Sequence, residues 1–159
     1  MKTVIGIDVG ISTTKIVGIR DGKIVSPIRI KATDPVTSLY GAFGKYINEN
    51  NLTLSDIEQV MLTGVSAAYI KGDIYGLPTD RTDEFVADGL GAQYESGLDR
   101  MIVVSMGTGT TLVKYDNGAV HHIGGIAVGG GTLAGLSRLL LGTDDIKHIS
   151  SLEKNGNIS

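Results

Sequence analysis

Apolar and polar residues alternate over residues 3–9, again over 14–20, and a third time over 23–32. A period of two puts every second side chain on one face and reads as a half-buried strand. Asp21-Gly22 lies between the second and third runs and is a two-residue hairpin signal, so the three strands form a meander. Ile24, Ile28 and Ile30 are expected on the apolar side of the third strand. Asp34-Pro35 then opens a helix, because proline is preorganised for the first helical position. Leu39, Phe43, Tyr46 and Ile47 recur at helical spacing and predict a core-facing stripe, which gives out in the polar run 48–51. A short strand over 56–63 stopped by Gly64, a helical turn over 67–71 and a further strand over 78–81 follow. Thr82 is expected to cap a helix over 83–96 that Gly97 ends.

The pattern then restarts. Alternating runs at 100–105, 111–115 and 119–123 predict a second meander, its last two strands joined through Asp116-Asn117-Gly118. A helix over 132–141 follows the run Gly129-Gly130-Gly131, and Asp144 is expected to cap a last helix reaching residue 154. The repeat is one of topology rather than of residues. It predicts an α/β domain of order β-β-β-α-β-α-β-α over residues 1–98 and the incomplete start of a second, similar domain over 99–159. Three strands covered by one helix cannot bury both faces of a sheet, so the expectation is the N-terminal part of a longer protein that turns over negligibly alone.

Composition narrows the function classes. Hydrophobic residues make up 42% and charged residues 19% of the 159, which supports a packed core. A formal net charge of -3 without a lysine or arginine run argues against nucleic acid or an anionic membrane as partner. Cysteine is absent, which excludes disulfides, thiolate zinc, iron–sulfur clusters and cysteine nucleophiles within these residues. No apolar stretch reaches spanning length, and a cytoplasmic protein is expected. Glycine is abundant, with 23 residues, and many border the apolar strands of the second half, as turns close to a ligand would require.

Two glycine- and hydroxyl-rich turns follow apolar strands about a hundred residues apart: Gly6-Ile7-Asp8-Val9-Gly10-Ile11-Ser12-Thr13-Thr14-Lys15 and Ser105-Met106-Gly107-Thr108-Gly109-Thr110-Thr111. Exposed amides and hydroxyls in such turns can hold phosphate oxygens, and two of them suggest the two lips of a nucleotide cleft. Asp8 ends the first strand, where a carboxylate can hold Mg²⁺ or merely close the turn. Ser12 and Lys15 can meet phosphate, Lys15 by offsetting charge, unless it is only a solvated strand residue. Gly107, Thr108, Gly109 and Thr110 form the second phosphate turn, or else a plain tight hairpin. Gly129, Gly130 and Gly131 precede a helix and can approach an anion, or pack as a turn. Glu84, Asp83 and Asp88 compete as a carboxylate that accepts an alcohol proton, and acids also suit any first helical turn. His121 and His122 are neighbours on a strand and so point to opposite faces.

GIDVGISTTKI at the start, MLTGVSAAYI at 61–70, DEFVADGLGA at 83–92, VVSMGTGTTL at 103–112 and HIGGIAVGGGTLAGL at 122–136 together resemble type II pantothenate kinases, of the actin–Hsp70–sugar-kinase superfamily. The resemblance implies a ribonuclease H-like, actin/Hsp70-type ATPase fold. It implies a cytoplasmic homodimeric kinase that passes the γ-phosphate of Mg·ATP to the primary hydroxyl of pantothenate or a close analogue, the first step toward coenzyme A. It selects Glu84 as the catalytic base and Asp8 as the Mg²⁺ residue. It assigns Gly10, Ser12, Lys15 and Gly107 to Thr110 to ATP, and His122 with Gly129, Gly130 and Gly131 to the acceptor. Ile11 stands where that family usually has glycine, and His122 stands where it has a substrate-binding arginine. Two rivals share the fold: a non-catalytic metabolite-binding regulator or pseudo-kinase, and a dehydratase-activator ATPase, which needs cysteines that are absent here.

Overall fold

The computed structural model describes residues 2–154 and Gly156. The chain divides into two compact units, Met1–Gly91 and Ala92–Ser159. In the first, β1 (Thr3–Val9), β2 (Thr13–Arg20) and β3 (Lys23–Lys31) form the expected meander. After helix α1 (Pro35–Glu49) the chain returns as β4 (Ile57–Thr63) parallel to β1, then adds β5 (Thr79–Arg81) parallel to β4. The sheet order is β3-β2-β1-β4-β5. The Asp34 carboxylate caps α1 by accepting the Thr37 amide at 2.7 Å, and that hydrogen bond holds the carboxyl below its ordinary pKa.

The core lies on one face of this sheet. Ile5, Ile7 and Val9 of β1, Ile16 of β2, and Val60 and Leu62 of β4 meet Leu39, Ala42, Phe43 and Tyr46 of α1. Each large side chain buried there contributes on the order of 1.5–3 kcal/mol. The Tyr46 hydroxyl donates to the Val25 carbonyl at 2.7 Å and ties α1 to the outermost strand, and burial pushes its phenol up.

That strand departs from simple alternation. Ile16 pairs with Ile28 and Gly18 with Val25, so Val17 alone faces both Ser26 and Pro27. This is a β-bulge, with Ser26 at a φ of 32°. It inverts the phase of the strand. Val25 takes the inward place before the bulge and Ile28 and Ile30 take it after, while Ile24, expected inside, is 45% exposed.

Helix α2 spans Glu84–Ser96. Its cap is Asp83 rather than Thr82: Asp83 Oδ1 accepts the Phe85 amide at 2.8 Å and the Val86 amide at 3.3 Å. Glu84 is therefore the first helical residue. In the second unit β6 (Arg100–Met106), β7 (Thr110–Asp116) and β8 (Ala119–Ile126) form an antiparallel meander. Strand β8 runs three residues past its expected end. A bulge at Ile123 makes the extra length possible: Val113 pairs with His122, and Leu112 with Gly124. Helix α3 covers Gly130–Leu141, and α4 covers Ile146–Glu153. The cap of α4 is Asp145, which accepts the Lys147 amide at 2.9 Å, and not Asp144. No helix among the described residues is long and apolar enough to cross a membrane.

Candidate functional site

The sheet face opposite α1 carries the chemistry of the first unit. Alternation sends Thr3, Ile5, Ile7 and Val9 into the core and leaves Val4, Gly6 and Asp8 on the other side. Register then fixes the neighbours of Asp8. It pairs with Lys15 across the antiparallel β1–β2 ladder and with Thr63 across the parallel β1–β4 ladder. Lys15 Nζ donates to Asp8 Oδ2 at 2.6 Å, with the two side chains 53% and 24% exposed. Lys15 and Asp8, which the sequence treated as separate candidates, are thus one ion pair. Thr14 points the other way and is fully buried.

Asp8 Oδ1 is buried and has no hydrogen-bond partner among the described residues, and the same holds of Thr63 Oγ1. Both residues line a cavity of about 470 Å³ with Gly6, Val17, Met61 and Ala87 in its walls. A hard, oxygen-preferring cation fits this donor set. Oδ1 is a buried carboxylate oxygen that accepts no hydrogen bond, and no group of three or more His, Cys, Asp or Glu residues that could hold a metal ion is found among the described residues. A cation here would be held as Mg²⁺ commonly is, by one carboxylate with its remaining ligands from phosphate and water.

Glu84 begins α2 half-buried, and its carboxyl is held above the ordinary carboxylate range. Desolvation is the main cause, followed by the negative charges of Asp8 and Asp88, with Lys15 opposing. Asp83, its rival in the sequence, has its Oδ1 engaged by two helix amides as the cap. Glu84 and Asp83, which composition could not separate, thus differ physically: Asp83 is engaged as the cap, and the Glu84 carboxyl is half-buried and shifted upward. Gly10 closes the first turn by donating its amide to the Thr13 carbonyl at 3.1 Å, and the Ser12 carbonyl accepts from Ala32 at 2.9 Å.

In the second unit the two glycine runs form one structure. The Gly130 amide donates to the Gly107 carbonyl at 2.9 Å, and the Gly131 amide to the Thr108 carbonyl at 3.0 Å. The Thr110 hydroxyl donates to the Val128 carbonyl at 2.8 Å. A Cβ on Gly129 would stand 2.7 Å from the Thr108 oxygen and 2.8 Å from Gly109 backbone, so only glycine allows this approach. The sequence leaves the run Gly129-Gly130-Gly131 either to approach an anion or to pack as a turn; here the amides of Gly130 and Gly131 donate to carbonyls of the 107–110 turn. The amide of Gly107 is likewise turned inward, donating to the Gly109 carbonyl at 2.8 Å. His121 pairs with Lys114 and His122 with Val113, so the two rings leave opposite faces of β8, and both residues are exposed.

Thr63 and Gly64 were not among the sequence candidates. Their signal was the strand end itself: a hydroxyl and a glycine closing a strand parallel to β1.

Residues 92–159 match the Fumble family. A type II pantothenate kinase of Staphylococcus epidermidis is 31% identical over 96% of this chain and 55% of its own length. One from Staphylococcus aureus is 32% identical over 96% and 54%, and one from Bacillus cereus 28% identical over 98% and 56%. The chain resembles type II pantothenate kinases along nearly all its length, and spans about half the length of the curated relatives it matches. Among solved structures it is similar to an activator of 2-hydroxyisocaproyl-CoA dehydratase from Clostridium difficile with bound ADPNP. That match has a TM-score of 0.75 and 19% identity over 98% of this chain and 57% of that one. A ROK family protein from Streptococcus pneumoniae in complex with sucrose gives 0.57 and 18%, over 98% and 68%. The fold is that of the actin-like ATPases.

Proposed function

We propose that this chain is part of an ATP-dependent phosphotransferase that phosphorylates the primary hydroxyl of pantothenate or a close analogue. The observation that carries the chemistry is the half-buried Glu84, its carboxyl held high in the field of Asp8 and Asp88. Its relatives, named type II pantothenate kinases, supply the substrate class. A raised carboxylate is a better proton acceptor near neutral pH. In the proposed reaction the acceptor hydroxyl gives its proton to Glu84, and its oxygen forms a bond to the γ-phosphorus of ATP. The bond from that phosphorus to the β–γ bridging oxygen breaks, and ADP leaves with the electron pair.

The other roles follow from charge and position. Asp8 would hold Mg²⁺, which when bound offsets charge on the phosphate oxygens. Lys15 fixes the Asp8 carboxylate and adds positive charge beside it. Gly10 and Ser12 in one turn, and Gly107, Thr108, Gly109 and Thr110 in the other, are assigned to phosphate oxygens. In the second turn Gly129, Gly130 and Gly131 act as the brace that sets its shape, in addition to the acceptor contact the resemblance implies for them and for His122. The domain division at 98/99, the homodimer and the cytoplasmic location belong to the same reading.

The test is ADP release by the complete gene product that contains this chain, with ATP, Mg²⁺ and pantothenate or its N-substituted amides. Acceptor-dependent ADP formation that Glu84→Gln removes is the expected result. No stimulation by any of these acceptors would overturn the reading.

A further inference from the structure

The end of β4 holds Thr63 and Gly64, which lie within the 61–70 motif but have no functional role in the sequence reading or the proposed mechanism. Thr63 is the parallel-strand neighbour of Asp8 on the same sheet face, at the ordinary strand spacing of about 4.8 Å. Its hydroxyl is buried without a partner among the described residues, as is Asp8 Oδ1, and both residues line the cavity. A buried carboxylate oxygen that accepts no hydrogen bond, and a buried hydroxyl on the neighbouring strand that neither donates nor accepts one, are costly unless a further group meets them: positive charge or a donor for Oδ1, an oxygen-preferring ion or a polar partner for the hydroxyl. Lys15 does not, because its ammonium sits on Oδ2.

Gly64 explains how Oδ1 comes to be there. Its φ is +94°, a left-handed value that a side chain would strain. A Cβ at this position would overlap Asp8 Oδ1 and would stand 2.7 Å from the Val9 carbonyl oxygen. The empty place beside Gly64 is therefore the seat of Oδ1. One carboxylate oxygen is fixed by the lysine and the other by the absence of a side chain.

We propose that Thr63 and Gly64 are positioning residues for a divalent cation at Asp8. Gly64 seats Oδ1, and Thr63 sets a second oxygen beside it, so that the pair faces a cation or its bound water. This rests on reading Asp8 as the cation-facing carboxylate.

The test is a titration of the complete gene product with Mn²⁺ alone, followed by paramagnetic broadening of its amide NMR signals. Signals of Val9 and Gly64 are expected to broaden first. Thr63→Val keeps the shape and removes the hydroxyl, and should raise the Mn²⁺ needed there by about tenfold. Thr63→Ser restores the oxygen and should return the titration close to that of the native protein. Gly64→Ala should displace the broadening from Val9, but it carries a folding risk that the isosteric Thr63→Val avoids. Broadening that begins elsewhere, a Thr63→Val titration like that of the native protein, or a Thr63→Ser as weak as Thr63→Val would each overturn the proposal. The outcome is separable from the kinase reading. A protein that phosphorylates no acceptor but shows Thr63-dependent Mn²⁺ broadening supports the cation site and removes the kinase. Acceptor phosphorylation with broadening indifferent to Thr63 does the reverse.

Discussion

Replacing Glu84 by glutamine separates a chemical from a structural role, because the two predict opposite changes. The folded chain raises the Glu84 pKa from an ordinary value of 4.5, chiefly through burial and then through Asp8 and Asp88. The native state therefore holds this proton more tightly than the unfolded state. Stability from the protonated form is complete below the ordinary pKa and is lost as pH rises through the folded one. Glutamine cannot titrate, so Glu84→Gln should lose this decline and become more stable relative to the native protein as pH rises. One whole proton sets an upper slope of about 1.36 kcal/mol per pH unit, and solvent screening at a half-exposed carboxylate keeps the effect well under it. Urea unfolding followed by circular dichroism at several values between about pH 4 and pH 7 measures the difference directly. In the complete gene product the same substitution should lower kcat by roughly two to four orders of magnitude. A variant that is both more stable and inactive marks a site strained for function. Parallel stability profiles would show that the carboxyl is not raised. A native protein that gains on the variant with rising pH would show that Lys15 outweighs burial, and would refute the argument.

The other expectations test the scaffold. Asp83→Ala should cost about 0.5–2 kcal/mol in thermal or chemical unfolding, and Thr82→Ala clearly less, because the cap of α2 is Asp83. Tyr46→Phe should cost about 1–2 kcal/mol by leaving the Val25 carbonyl without its donor. Phe43→Ala, in the centre of the α1 contact, should cost about 3–5 kcal/mol in the same assay. Lys15→Met should change stability by under about 1 kcal/mol, since the Asp8 pair is half-exposed, while lowering phosphotransfer in the complete gene product.

What the sequence revealed and what it hid follow from the range of the interactions concerned. The meanders were legible because Asp21-Gly22 and Asn117-Gly118 dictate their turns within a few residues. The stripe of α1 was legible because helical periodicity is local. The phase of β3 was not, because counting alternate residues assumes one partner per residue and Val17 faces two. The caps of α2 and α4 each fell one residue later than read. Thr82-Asp83 and Asp144-Asp145 are neighbours that can both cap, and only backbone geometry chooses between them. At the candidate site, Asp8, Lys15 and Glu84 could be named from residue type and motif. Their coupling could not, because it depends on the β1–β2 register and on where α2 starts. Thr63 came to light only through a parallel pairing about fifty-five residues long in sequence separation. The engagement of the Gly130 and Gly131 amides with the 107–108 carbonyls is likewise non-local.

The bulge in β3 has a consequence for how the first unit behaves in a crowd. A border strand displays a row of unsatisfied amides and carbonyls, and any extended peptide can zip onto it. Here Pro27 has no amide to offer, and Ser26 beside it twists the backbone out of line. At the opposite border β5 is only three residues long, too short a ladder to recruit a partner. The five-stranded sheet thus refuses a sixth strand on either side, and the kink that spoils the apolar rhythm of the sequence also serves as a guard against fibrous self-association.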